Sequence, residues 1–144
     1  MRALLDINVI IALFDPDHGF HERAHAWWLS HKQHGWASCP ITENGAIRIM
    51  SNPGYSRKLQ FTPSDLITQL RQFSVTSDHE FWADQISLCD ETIFAKDRIH
   101  SSRQLTDLYL LALAVAHRGR LVTFDAQIST SAIHYAKIES LCVL

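Results

Sequence analysis

The segment Ala3–Phe14 reads ALLDINVIIALF, an apolar run broken only by Asp6 and Asn8. It constrains the fold more than any other stretch. An ionised carboxylate carried into an apolar interior without a partner costs several kcal/mol or more, so Asp6 must stand at the edge of a buried element, beside a group that satisfies it. Ala3–Asp6 therefore reads as a short buried strand ended by an acid. Val9–Phe14 reads as a short helix that stops at the Asp15-Pro16 turn.

The rest of the chain repeats this alternation. In His21–His34 the residues Phe20, Ala24, Trp27 and Trp28 recur at helical spacing and predict an amphipathic helix with both Trp facing a core, ended by Gly35. Trp36–Ser38 predicts a second strand. A helix follows from Pro40-Ile41-Thr42-Glu43, with Thr42 as its cap, and ends before Ser51-Asn52-Pro53-Gly54. Thr62-Pro63-Ser64-Asp65 combines a cap, a Pro at the first helical position and an acid in the first turn. Phe73–Val75 is expected as a strand, and Phe81–Leu88 fits no single period. Thr106–His117 is a strongly apolar helix, and Leu121–Phe124 a buried strand ending at Asp125.

Strands separated by helices imply an α/β fold with a parallel sheet, whose functional sites gather beyond the carboxyl ends of the strands. The 144 residues, 47% of them hydrophobic, suit a single domain over 1–144 with a substantial core. The cysteines, Cys39, Cys89 and Cys142, are odd in number and lack a metal-type spacing, which predicts buried, reduced thiols in a cytoplasmic protein. Asp6 and Asn8 interrupt the first apolar run and no small-residue cleavage site follows it, so neither a signal peptide nor a membrane span is expected.

Four acids fall where the sheet rule directs attention: Asp6 after the first strand, Glu43 and Asp107 at helix starts, and Asp125 after a late strand. Taken singly, Glu43 and Asp107 could serve only a helix dipole, and Asp125 only a turn. Taken together, carboxylates converging on one spot repel one another unless a divalent cation neutralises them. Hard oxygen ligands suit Mg²⁺ or Mn²⁺, and such a centre supports phosphodiester cleavage by metal-activated water. A net charge of -2 provides no global attraction for nucleic acid, so metal ions and local basic groups would have to do so. Arg48 and Arg103 are the candidate substrate-binding residues, with Arg57, Lys58, Arg98, Arg118 and Arg120 also available. Each of these also fits a solvated surface.

These residues resemble a known family, the PIN-domain ribonucleases, and within it the VapC toxins of bacterial toxin–antitoxin systems. LLDINVIIALFD matches the opening strand with the first Asp, ITENGAIRIM the helix with the Glu, RQLTDLYLLALA the third acid and LVTFD the fourth. The resemblance implies a three-layer α/β/α sandwich around a mainly parallel sheet. It implies Mg²⁺- or Mn²⁺-dependent endonucleolytic cleavage of RNA, with transfer or ribosomal RNA loops as targets. It implies a homodimer, a VapB-type antitoxin protein as partner, and no membrane association. The metal-site role falls on Asp6, Glu43, Asp107 and Asp125, with Asn8 and Thr123 supporting the site through hydrogen bonds. A PIN-fold nuclease with a non-toxin role in RNA processing is the alternative.

A rival stands in HERAHAWWLSH, His21–His31, which carries the His-x-x-x-His pattern of zinc metalloproteases in His21, Glu22 and His25, with His31 where a third ligand would come. The extended motif needs Gly three residues after the second His, and Trp28 stands there. A helix continuing through Trp28 turns about 100° per residue and carries His31 away from His25. The pattern therefore fits a packing helix better. An aspartate-nucleophile phosphohydrolase would want a second acid two residues after Asp6, and Asn8 cannot protonate a leaving group. A binding module with the acids as mere caps is the last rival.

Overall fold

A computed structural model describes residues 1–144. Five strands, β1 (Ala3–Leu5), β2 (Trp36–Ser38), β3 (His79–Phe81), β4 (Arg120–Thr123) and β5 (Leu141–Val143), form one sheet in the order β3-β2-β1-β4-β5. All neighbours are parallel. The helices are α1 (Ile7–Phe14), α2 (His21–His31), α3 (Pro40–Met50), α4 (Pro63–Val75) and α5 (Leu105–Ala116). None is long and apolar enough to cross a membrane.

Alternation along the strands divides the core between the two faces. Leu4, Ala37 and Leu121 pack with α5, together with Phe94, Ala132 and Ile133. Ala3, Leu5, Trp36 and Val122 point the other way, onto α1, α2, α3 and α4. Both faces are therefore covered, which is why the three central strands are apolar toward both layers in Ala3–Leu5, Trp36-Ala37 and Leu121-Val122, with polar residues only at strand ends, Ser38, Arg120 and Thr123. The architecture is the expected α/β/α sandwich. The chain leaves β1 toward β2 and β3, then returns to the other side of β1 with β4. The carboxyl ends of β1 and β4 thus flank a topological switch point, where open α/β sheets place their ligands.

Several elements differ from the sequence reading. Helix α1 starts at Ile7 because Asp6 caps it. The cap of α3 is Cys39, three residues before Thr42. Pro40 takes the first helical position, where a missing N–H costs nothing, and the Thr42 hydroxyl reaches back to accept the Cys39 N–H at 3.0 Å. Phe73–Val75 is the last turn of α4 and not a strand. The strand lies further on, at His79–Phe81, an edge strand whose exposure removes the need for an apolar sequence. β5, at the opposite edge, has no counterpart among the strands expected from the sequence. Within α2, Ala24 and Trp28 are buried and Trp27 is half-buried, whereas Phe20, the residue before the helix, is exposed. The three thiols are free, with only Cys39 buried and Cys89 exposed.

Candidate active site

Asp6 follows β1 directly, in extended backbone. Its N–H donates to the Val122 carbonyl at 2.9 Å, and its own carbonyl accepts from Val9 and Ile10. The sheet therefore runs one residue beyond the strand and the helix begins at once. The side chain is only 4% exposed. Its Oδ1 accepts the Ile7 N–H at 2.7 Å and its Oδ2 accepts the Thr123 hydroxyl at 2.7 Å. Thr123 Oγ1 in turn accepts the Asp125 N–H at 3.1 Å. One buried hydroxyl thus joins the ends of β1 and β4, whose residues stand 117 apart in sequence.

Asp107 approaches from the α5 layer. The turn before α5 is closed by Ser101, whose hydroxyl accepts the Arg103 N–H at 3.2 Å, and by Gln104, whose Oε1 accepts the N–H groups of His100 and Ser101. This cap presents Asp107 in the first helical turn, where a carboxylate complements the dipole. Asp107 and Asp125 line one small cavity with Arg103, Gln104 and Gln127.

The electrostatics of these acids is that of crowded, unneutralised charge. Burial pushes the Asp6 carboxyl above the usual carboxylate range, against the pull of the bonds from Thr123 and Ile7, and the charge of Asp125 adds to the rise. Burial, followed by repulsion from Asp6 and Asp125, lifts Asp107 to about 6. The ion pairs of the chain join Arg2 to Asp78 and Glu80, and Lys96 to Glu91, so none of these acids has a basic partner. Oxygen-only donors carrying mutual repulsion fit a hard divalent cation. No three His, Cys, Asp or Glu side chains stand close enough to hold one ion between them unaided.

Glu43 enters from the opposite layer, in the first turn of α3. Its Oε1 accepts the Ser38 hydroxyl at 2.6 Å, and the same hydroxyl lies 2.7 Å from His79 Nε2. Burial holds His79 below its ordinary value. Glu43 and Glu80 act against that shift, and Arg2 reinforces it. The structure thus couples Asp6, Asp107 and Asp125 through shared charge and seats Glu43 with Ser38 and His79. Ser38 could have been noticed in the sequence, at the carboxyl end of a strand five residues before Glu43. His79 could not, because its strand was not recognised.

The remaining candidates separate. Asn8 is exposed on the first turn of α1, and the side-chain bond to Asp6 comes from Thr123 alone. Arg103 borders the cavity of the acids, whereas Arg48, exposed near the end of α3, lines a different one with Asn52 and Tyr55. In α2, His21 Nδ1 lies 2.7 Å from the Ala12 carbonyl and ties α2 to α1, and the rings of His21 and His25 stack at 5.7 Å. HERAH is therefore part of a helix–helix contact, and no third ligand joins it.

The sequence matches the PIN domain family over residues 3–133. It is 46% identical over 144 residues to Ribonuclease VapC44 of Mycobacterium tuberculosis (strain ATCC 25618 / H37Rv), covering 100% of both chains. From the same strain, Ribonuclease VapC39 is 42% identical over 132 residues, covering 92% of this chain and 94% of the relative. Ribonuclease VapC38 is 38% identical over 149 aligned positions, covering 99% of each.

Proposed function

The chain belongs to the PIN domain family as a VapC-type ribonuclease, and from that premise we propose that it is a Mg²⁺- or Mn²⁺-dependent endoribonuclease with Asp6, Glu43, Asp107 and Asp125 as its site acids. The observation that carries this is the convergence of Asp6, Asp107 and Asp125, three carboxylates without a basic partner at the switch point of the sheet, Asp6 buried and joined to the Asp125 backbone through Thr123, and Asp107 and Asp125 lining one cavity. A bound Mg²⁺ or Mn²⁺ would neutralise charge at the scissile phosphate and acidify the attacking water.

The chain's own residues do the rest. Thr123 and the Ile7 N–H hold both oxygens of Asp6 in one orientation, so its position costs no reorganisation when substrate arrives. Asp107 and Asp125 present oxygens across the cavity, and Arg103 at its rim supplies a guanidinium suited to a backbone phosphate. Single-stranded loops of transfer or ribosomal RNA are the expected targets, since unstacked bases are where proteins read RNA sequence. By analogy with the relatives we assign it a toxin role in the cytoplasm, as a homodimer restrained by a VapB-type antitoxin.

The test uses purified chain with bacterial transfer and ribosomal RNA. Cleavage is expected with Mn²⁺ or Mg²⁺, none with EDTA, and none from Asp6→Ala or Asp107→Ala. Induction in bacteria should arrest growth with the wild-type chain and not with Asp6→Ala. Full activity of both alanine variants would overturn the assignment.

A further inference from the structure

Ser38, buried at the carboxyl end of β2, has a single proton and two short contacts, 2.6 Å to Glu43 Oε1 and 2.7 Å to His79 Nε2. An ionised carboxylate only accepts. The Ser38 proton must therefore point to Glu43, which leaves His79 Nε2 as the donor to Ser38 Oγ. From this geometry we infer that His79 and Ser38 form a directional relay, ring N–H to hydroxyl to carboxylate, that positions Glu43 for metal binding. This rests on the reading of Glu43 as one of the site acids.

The placement of His79 is determined from several sides. Its strand pairs with β2 so that His79 lies beside Trp36, and the two rings contact at 4.3 Å between centroids. On either side of His79, Arg2 holds Asp78 at 2.9 Å and Glu80 at 3.1 Å. Arg2 also donates to the Asp78 carbonyl at 3.1 Å. Gly35 has φ +75, and a Cβ there would fall 2.2 Å from the Arg2 guanidinium, so only Gly leaves room for the clamp. An edge strand of three residues would otherwise be a weak support. Clamped in this way, it delivers one imidazole N–H to one hydroxyl. Ser38 and His79 are positioning residues, since they act on the reaction through Glu43.

The experiment compares Ser38→Ala, His79→Leu, His79→Gln and Glu43→Ala in the full chain. Mn²⁺ affinity is read by calorimetry, RNA cleavage by kinetics and folding by thermal melts. Loss of an outer hydrogen-bond partner typically weakens metal affinity or activity about 10- to 100-fold. That range is expected for Ser38→Ala and His79→Leu, in variants that still melt cooperatively. His79→Gln should restore most of the affinity, because the Gln amide N–H reaches the place of Nε2–H. Wild-type Mn²⁺ affinity in Ser38→Ala and His79→Leu, with loss in Glu43→Ala, would overturn the relay and leave the role of Glu43 intact. Equal weakness of His79→Gln and His79→Leu would also overturn it, since the donor would then be irrelevant. Undiminished Mn²⁺ affinity in Glu43→Ala would remove Glu43 from the site and the relay with it.

Discussion

The side chain on which the site turns is Thr123. It is fully buried, donates to Asp6 and accepts from Asp125, so Thr123→Val keeps the volume and removes the connection. The loss leaves a buried carboxylate oxygen short of a donor, at a cost of about 1–3 kcal/mol. A lower Tm together with weaker Mn²⁺ binding is expected, and an unchanged melt would show that the hydroxyl contributes nothing to Asp6. Asp107 gives a prediction in pH. Between its ordinary value of 3.8 and about 6, the folded chain keeps a proton that the unfolded chain has released. Its contribution to stability is therefore full below about 4, is lost as pH rises through about 6, and is flat beyond. In EDTA, Asp107→Asn should remove that part of the decline and melt above wild type at pH 7, by about 2–4 °C for each kcal/mol relieved of burying the charge and of its repulsion by Asp6 and Asp125. Protons compete with cations for the same oxygens, so Mn²⁺ affinity of the wild-type chain should weaken below pH about 6. Thermal melts and calorimetry across pH 4–8 check both statements.

Among the elements, the contact of α1 with α3 sets where Asp6 and Glu43 stand relative to one another. Gly45 of α3 faces Ile7 of α1, and a Cβ on it would come within 2.4 Å of Ile7 Cδ1. Gly45→Ala gains about 1 kcal/mol in helix propensity and meets an overpacking cost of about 1–3 kcal/mol. A small net destabilisation is expected, with cleavage falling more than stability because α3 carries Glu43. Adding Ile7→Val removes the nearest atom and should recover part of the activity. No recovery in the double variant would argue against the contact as the cause. Elements also show how legibility in sequence depends on burial. β1, β2 and β4 are legible because both faces of the sheet are covered and Ala3–Leu5, Trp36-Ala37 and Leu121-Val122 are apolar. Edge strands β3 and β5 lie half outside that constraint, so His79–Phe81 carries no period, and Phe73–Val75, which the sequence offers as a strand, is the last turn of α4, with Phe73 packed on the core and Val75 70% exposed. Helix starts were legible where side chains cap, as at Thr62. The start of α3 was misplaced because its cap is a Cys.

At the scale of the whole molecule, the order β3-β2-β1-β4-β5 brings the first and fourth strands side by side, and the acids cohere only because of it. A cation that binds the folded chain and not the unfolded one stabilises by mass action, about 2.7 kcal/mol at a hundredfold excess over Kd. For a chain of this size the Tm should rise by about 5–10 °C with saturating Mn²⁺, return to its starting value with EDTA, and remain unmoved in Asp6→Asn. A wild-type melt indifferent to Mn²⁺ would count against a metal centre.

The sequence by itself determined the three central strands, the helices between them and the position of each acid at an element's edge. A charge beside an apolar run must sit at the run's edge, and apolar residues at regular spacing must face a core. What only the tertiary structure decided is which of these edges meet. Asp6 finds Thr123, and Ser38 stands between Glu43 and His79, through pairings between strands far apart in the chain. The physical reason is that burial and periodicity are local properties and can be read residue by residue. Strand order and edge placement depend on the packing of the whole sheet, and no local pattern encodes them.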